Sequence, residues 1–201
     1  MIKLPKKCEV NKFLPKKIFY EKIGISSSIK SDFTNLVEKV TWLYKLSPDT
    51  IGISKTEEVE EIQIFQIDVK DRKIPINIIK FITKVIPYKI LFIVKYKKDY
   101  CYVAKVDNVY YSKWNDNIKF EFNAINLEVL YENIVKSIIK ENNNLEDFNE
   151  ILENKNRKIE LNRQINILKN KIHNEKQFNR KVELNIEINK LEKEMEELLN
   201  E

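Results

Sequence analysis

The sequence predicts an α+β protein: a small mixed or antiparallel sheet with flanking helices, followed by a C-terminal helical hairpin of coiled-coil type. Three observations carry that reading. Residues 59–69 and 89–96 are apolar, β-branched runs of strand length. Segments between them carry apolar residues at helical spacing. Beyond three asparagines at 142–144, the apolar spacing becomes heptad-like.

Taken in order, residues 1–24 read as a basic extended arm. Pro5 and Pro15 each bias the preceding residue away from helix. Ile18, Phe19 and Tyr20 can anchor the arm. Ser31 or Asp32 can cap a helix running to about residue 46, because Phe33, Val37, Val40 and Tyr44 recur at i, i+4, i+7 and i+11. Ser47, Pro48 and Asp49 then stop it. In 59–69, Ile62 and Ile64 alternate with polar residues until Phe65 breaks the phase. That break implies either a bulge or a strand covered on both faces. Pro75 opens a short helix to about residue 85. KILFIVKY at 89–96 is a buried strand.

Residues 100–106, 109–113 and 118–122 read as a meander, with Asp107 and Asn108 forming one tight turn. Residues 125–140 form a helix with Leu127, Leu130, Tyr131, Ile134 and Ile138 on one side. The α+β domain then covers residues 25–144 and the helical tail 145–201. In the tail, Leu161, Ile165, Leu168 and Ile172 are spaced 4-3-4, and Leu184, Ile188, Leu191, Met195 and Leu198 are spaced 4-3-4-3. Continuing the first seam would require apolar residues at 175 and 179, which hold Glu and Asn. A bend near residues 173–177 explains the break. One long helix with a phase shift remains open, since the bend has neither Gly nor Pro.

Composition excludes several chemistries. With 2 Gly among 201 residues there is no glycine-rich phosphate loop, and with 1 His and 2 Cys there is no zinc finger, HExxH protease or disulfide scaffold. No apolar run of about 18 residues exists, so no transmembrane helix is expected. The short basic start has no apolar region behind it and is not a secretory signal. Cys8 and Cys101 read as reduced thiols of a cytoplasmic protein.

Charge is unevenly placed. Residues 1–144 hold 25 basic and 18 acidic side chains, net +7, whereas 145–201 hold 11 and 13, net −2. Lys, Asn and Ile share AT-rich codons, so lysine content alone does not argue for nucleic acid. The positioned candidates for phosphate contact are Lys6, Lys7, Lys12, Lys16 and Lys17 in the arm; lysines on a solvated strand edge are the plainer account. Tyr100, Tyr102, Tyr110, Tyr111 and Trp114 lie among lysines and could stack bases. Cross-strand packing explains them equally. At the tail's bend, Gln177, Phe178, Asn179 and Arg180 form a candidate partner-binding tip, unless Phe178 is a staple that fixes the bend. His173 reads as a helix-end cation.

One constellation suggests catalysis. Pro48 and Asp49 precede Asp68, Val69 and Lys70, in the manner of PD-(D/E)xK nucleases. There, two carboxylates hold Mg²⁺ or Mn²⁺ and the lysine positions the attacking water. The plainer account makes Asp49 a turn residue and places Asp68 and Lys70 on a solvated strand face.

Five segments together, FLPKKIFYEK (13–22), WLYKLSPDTIGI (42–53), VEEIQIFQIDVK (59–70), IPYKILFIV (86–94) and EKQFNRKVELN (175–185), resemble the bacterial family called domain of unknown function 4391. The resemblance covers nearly the whole chain. It implies no catalytic residues and no cofactor. It implies company: accessory proteins beside helicases and DNA methyltransferases of restriction-like or phage-defence loci. The leading expectation is a non-catalytic accessory subunit of such a complex, docking protein through its C-terminal helices and DNA through its basic half. The alternatives are a metal-dependent nuclease using Asp49, Asp68 and Lys70, and a homo-oligomeric structural protein.

Overall fold

Six strands pair in the order in which the chain makes them, β1 to β6. The computed structural model describes residues 2, 4–22, 25–139 and 147–200. It divides into two units, Met1–Lys140 and Glu141–Glu201. The domain boundary expected at 142–144 lies outside the described residues.

The segment expected as an extended arm is instead built into the first unit. A 3-10 turn at Lys6–Cys8 leads into β1 (Glu9–Phe13), and α1 (Lys16–Lys22) follows. β1 pairs antiparallel with β2 (Val37–Leu46) and is an edge of the sheet. Phe19 on α1 is buried and stacks on Phe33, with ring centroids 5.6 Å apart. The two prolines lie outside β1 and α1, so they bound these elements rather than prevent them.

The long helix expected over 31–46 is two elements. α2 (Ser27–Leu36) starts at Ser26, whose hydroxyl accepts the amide of Ile29 at 3.3 Å. β2 follows without a break. A β-bulge explains the misreading. Val37 pairs with Val69 and Lys39 with Asp68, leaving Glu38 as an extra residue. Val37 and Val40 therefore share a face at a spacing of three, which imitates a helix. A second irregularity falls between Trp42 and Tyr44.

α3 (Pro48–Ile51) is a single turn capped by Ser47, whose N–H donates to Thr50 Oγ1 at 2.8 Å. Gly52 closes it at φ +72°, a left-handed conformation that suits glycine. β3 (Ile62–Val69) pairs antiparallel with β2 and parallel with β4 (Lys89–Tyr96). α4 (Ile76–Val85) makes the crossover that a parallel pair requires. β5 (Asp99–Lys105) and β6 (Val109–Tyr111) complete the sheet in antiparallel fashion.

One face of the sheet buries Phe65, Ile67, Phe92 and Val94 against Phe33 of α2 and Ile78, Ile79 and Ile82 of α4. Ile62, Ile64 and Leu91 point to the other face by alternation and are equally buried. Phe65 therefore breaks the alternation because β3 is covered on both sides; the bulges belong to β2. α5 (Leu127–Ile139) packs against β5 and β6, and Tyr131 Oη donates to the Lys105 carbonyl at 3.2 Å. Burial pushes the Tyr131 phenol far above its ordinary pKa.

The third meander strand expected at 118–122 does not join the sheet. Residues 118–124 alternate in exposure as a strand would. Their rings face inward without ladder pairing: Phe120 meets Tyr102 edge-on, with centroids 4.8 Å apart. Cys8 and Cys101 are buried free thiols.

The second unit is a pair of helices, α6 (Phe148–Asn174) and α7 (Phe178–Asn200). Ile165, Leu168 and Ile188 form the buried seam, flanked by Ile172, Leu184 and Leu191. Lys169 Nζ meets Glu192 Oε1 at 2.9 Å, and Arg157 pairs with Glu194. The bend needs no glycine. Glu175 Oε1 accepts the amides of Lys176 at 2.7 Å and Gln177 at 2.9 Å, covering donors that the start of a helix leaves open. Those amide bonds hold the Glu175 carboxyl below its usual range. His173 lies in the last turn of α6. No described helix is long and apolar enough to cross a membrane.

Candidate nucleic-acid interface

Because β3 and β4 are parallel, their C-terminal ends emerge at the same end of the sheet, and antiparallel β2 begins there. Lys39, Asp68 and Lys95 stand side by side on three neighbouring strands, by direct register. Just beyond the strands come Lys70 and Lys97. Together with Glu38, Val69 and Tyr96 these residues line an open cleft of about 330 Å³. The bulge matters here. It places Glu38 and Lys39, consecutive in sequence, both on the exposed side of β2.

Asp68 is held by its own strand. Gln66 Nε2 donates to both carboxylate oxygens, at 2.8 and 3.0 Å. Lys39, Lys95 and Lys97 make none of the ion pairs found among the described residues. Lys39 Nζ lies 6.0 Å from the ring centroid of Phe13, which is 54% exposed. Lys97 adopts φ +54°, and its Nζ lies 5.0 Å from the centroid of the Tyr96 ring. The cleft thus carries four lysines and two carboxylates.

Two lysines nearby have structural work. α2 ends where β2 begins, so its last carbonyls need donors. Lys16 Nζ donates to Phe33 O at 2.9 Å and Val37 O at 2.6 Å. Lys70 Nζ donates to Thr34 O at 2.7 Å, and the Lys70 amide to Leu36 O at 2.9 Å. Cations suit a helix C-terminus. Burial first, then the neighbouring Lys70 charge, push the Lys16 ammonium below its ordinary pKa, against the pull of Glu38.

The five arm lysines do not share one surface. Lys6 and Lys7 lie in the turn whose Cys8 thiol contacts the Thr50 carbonyl, beyond the end of β2. Lys16 grips the start of β2, nine residues away, about 30 Å at about 3.3 Å per residue. Lys12 is on edge strand β1, and Lys17 pairs with Glu21 at 3.3 Å.

Asp49 does not join Asp68 and Lys70. Leu46 pairs with Ile62, so Asp49 on α3 lies beyond the start of β3, whereas Asp68 is near its end, about 20 Å further along the strand. Metal–oxygen distances of about 2.0–2.6 Å forbid one ion between them. The carboxylate that the fold brings to Asp68 and Lys70 is Glu38, which the sequence reading had passed over. No local signal marked it: at helical spacing Glu38 and Lys39 fall off the apolar face, where an amphipathic helix carries its charges.

The aromatics of β5 and β6 divide. Tyr102 and Tyr110 are buried, with Tyr102 pushed up to about 12 by burial, while Tyr111 is exposed. Arg72 stacks on Trp114, which joins the α4-side core. At the hairpin bend, Gln177 precedes α7 and Phe178 begins it at 77% exposure, so Phe178 does not act as a staple. Arg180 pairs with Glu183 at 2.8 Å and, with Ile167, Lys171 and Leu184, lines a groove beside the bend.

A family model described as "Domain of unknown function (DUF4391)" matches residues 2–195. The chain belongs to the DUF4391 family. The match spans both units, so the sheet and the hairpin together make up the DUF4391 chain. No curated protein and no solved structure matches this DUF4391 member.

Proposed function

We propose that this DUF4391 protein is a DNA-contacting accessory subunit of a restriction-like or defence complex. In this reading, the cleft at the end of β3 and β4 takes backbone phosphates, and the hairpin docks a helicase or DNA methyltransferase. One observation carries the DNA reading: Lys39, Lys70, Lys95 and Lys97 outnumber Glu38 and Asp68 in one cleft, and Lys39, Lys95 and Lys97 make none of the ion pairs found among the described residues. Closely spaced cations repel one another, and a polyanion relieves that repulsion while releasing its own counterions. The exposed Phe13 ring beside Lys39 adds a surface on which an unpaired base could stack. Such a role belongs in the cytoplasm.

The test is DNA affinity as a function of salt. For a duplex, the slope of log K against log salt changes by about 0.9 per phosphate contact. Replacing Lys95 and Lys97 with Gln should flatten it by up to about 2 and leave the fold intact by circular dichroism. An unchanged slope removes the cleft from the reading. Exposed Phe178 is the handle for the partner: Phe178→Ser should abolish co-purification with the helicase or methyltransferase without weakening DNA binding.

A further inference from the structure

We propose that residues 117–123 are a docking edge for a second copy of this chain, the two segments pairing as antiparallel strands about a two-fold axis. This goes beyond the DNA reading and is independent of it, because the segment shares no residue with the cleft. Residues 118–124 alternate in exposure as a strand does, yet no strand of the sheet pairs with them. Among the described residues, no backbone hydrogen bond uses an amide or carbonyl between Lys119 and Ile125. The chain is nevertheless tied at both ends. The Ile118 amide donates to Asp116 O at 3.0 Å, and the Leu127 amide to Ser54 O at 2.8 Å. Between them, the Phe120 ring meets Tyr102 edge-on at 4.8 Å and lies 6.2 Å from the Phe122 ring. An extended segment held in shape, with its backbone donors and acceptors open, is a template for strand addition.

The occupant follows from the sequence of the segment, which is its own antiparallel complement. Residues directly opposite in an antiparallel pair point to the same side and interact. Placing Phe120 opposite Phe120 sets Lys119 against Glu121 of the second copy and, by symmetry, Glu121 against its Lys119. Asn117 then meets Asn123, and Ile118 meets Phe122. Positions 117, 119, 121 and 123 are exposed, and 118, 120 and 122 are half-buried. Polar therefore meets polar on the outer face, and apolar meets apolar on the inner face. The neighbouring registers set Glu121 against Glu121 or Lys119 against Lys119, which like charges oppose. Charge thus selects one register, where alternation alone would allow a slip of two. Such a contact is isologous and closes at two copies, so it makes a dimer and not a fibre.

The full chain is examined by sedimentation equilibrium in the absence of DNA, as wild type and as charge-reversal variants. Wild type should show a monomer–dimer equilibrium. Lys119→Glu and Glu121→Lys should each weaken it by about tenfold, since two attractive cross-strand pairs become repulsive. Both side chains are exposed, so both variants should keep the wild-type circular dichroism. An equimolar mixture of the two single variants should associate more tightly than either alone, because each supplies the charge that the other lacks. Lys119→Glu combined with Glu121→Lys should recover wild-type association. Wild type that stays monomeric at about 100 µM overturns the proposal, whether water or a strand of another protein then covers the edge. A dimer that both single variants retain unchanged puts the contact elsewhere and equally overturns it.

Discussion

The two ends of the sheet use the same residue types in opposite ways. At the start of β3, Lys45 Nζ meets Glu61 Oε2 at 2.6 Å, and Gln63 Nε2 donates to Glu61 Oε1 at 2.6 Å. Glu61 and Gln63 are buried, and each charge has its counter-charge or donor. At the end of β3, Glu38, Asp68, Lys39 and Lys95 meet in an open cleft, and Asp68 is satisfied by an amide rather than by a lysine. An ion pair closed in a partly buried place holds structure together. The same charges left apart at a solvent-filled cleft are available to a ligand. Charge content does not separate the two ends; pairing and exposure do.

That contrast can be broken or sharpened by experiment. The largest effect on stability should come from Glu61→Ala. It leaves Lys45 and the buried Gln63 amide without their acceptor, which should cost about 2 kcal/mol, reduced from the fully buried case because Lys45 is part-exposed. Urea unfolding measures it; a loss under 0.5 kcal/mol would mean that the two ends are alike. Next, Lys39→Glu with Lys95→Glu should weaken DNA binding by about tenfold or more near physiological salt, since two phosphate contacts become repulsions. The same reversal at Lys6 and Lys7, at the far end, should cost less than threefold. Equal losses would erase the contrast.

Alkaline pH should separate the ends by sign. The Glu61 hydrogen bond raises Lys45 above its ordinary pKa, so its stabilisation is complete below about 10.5 and is lost as pH climbs through the folded value. Lys16 is lowered, so its charged form is disfavoured by folding, and that penalty lifts as pH rises through the folded value toward 10.5. Between pH 8 and pH 11, the urea midpoint of wild type relative to Lys45→Met should fall, and relative to Lys16→Met it should rise. Matching slopes would contradict this. The smallest effect belongs to Asp68→Asn, which keeps an acceptor for Gln66 and should change stability by less than about 0.5 kcal/mol. A larger loss would make Asp68 a structural residue.

How much was legible in the sequence depended on how local each signal was. β4, α4 and the two tail seams are each written in one continuous stretch and sit where the spacing puts them. β2 was not legible as a strand, because a single inserted residue at Glu38 turned a period of two into a spacing of three. Residues 118–124 had strand alternation, and their burial followed that pattern, but they joined no ladder. Asp68 and Lys70 were visible as a pair. Their partner was sought in Asp49 because a proline precedes it, yet the antiparallel pairing of β2 with β3 sends Asp49 to the wrong end.

The sequence by itself determined the two-part architecture, the strand-forming centre of the sheet and the break in heptad phase near residues 173–177. Each follows from residue periodicity. Only the tertiary structure decided which charges are paired and which share a cleft. Glu38 and Lys95 lie 57 residues apart and become neighbours of Asp68 through strand register alone. Register is set by the packing of both sheet faces at once, and no local spacing records it.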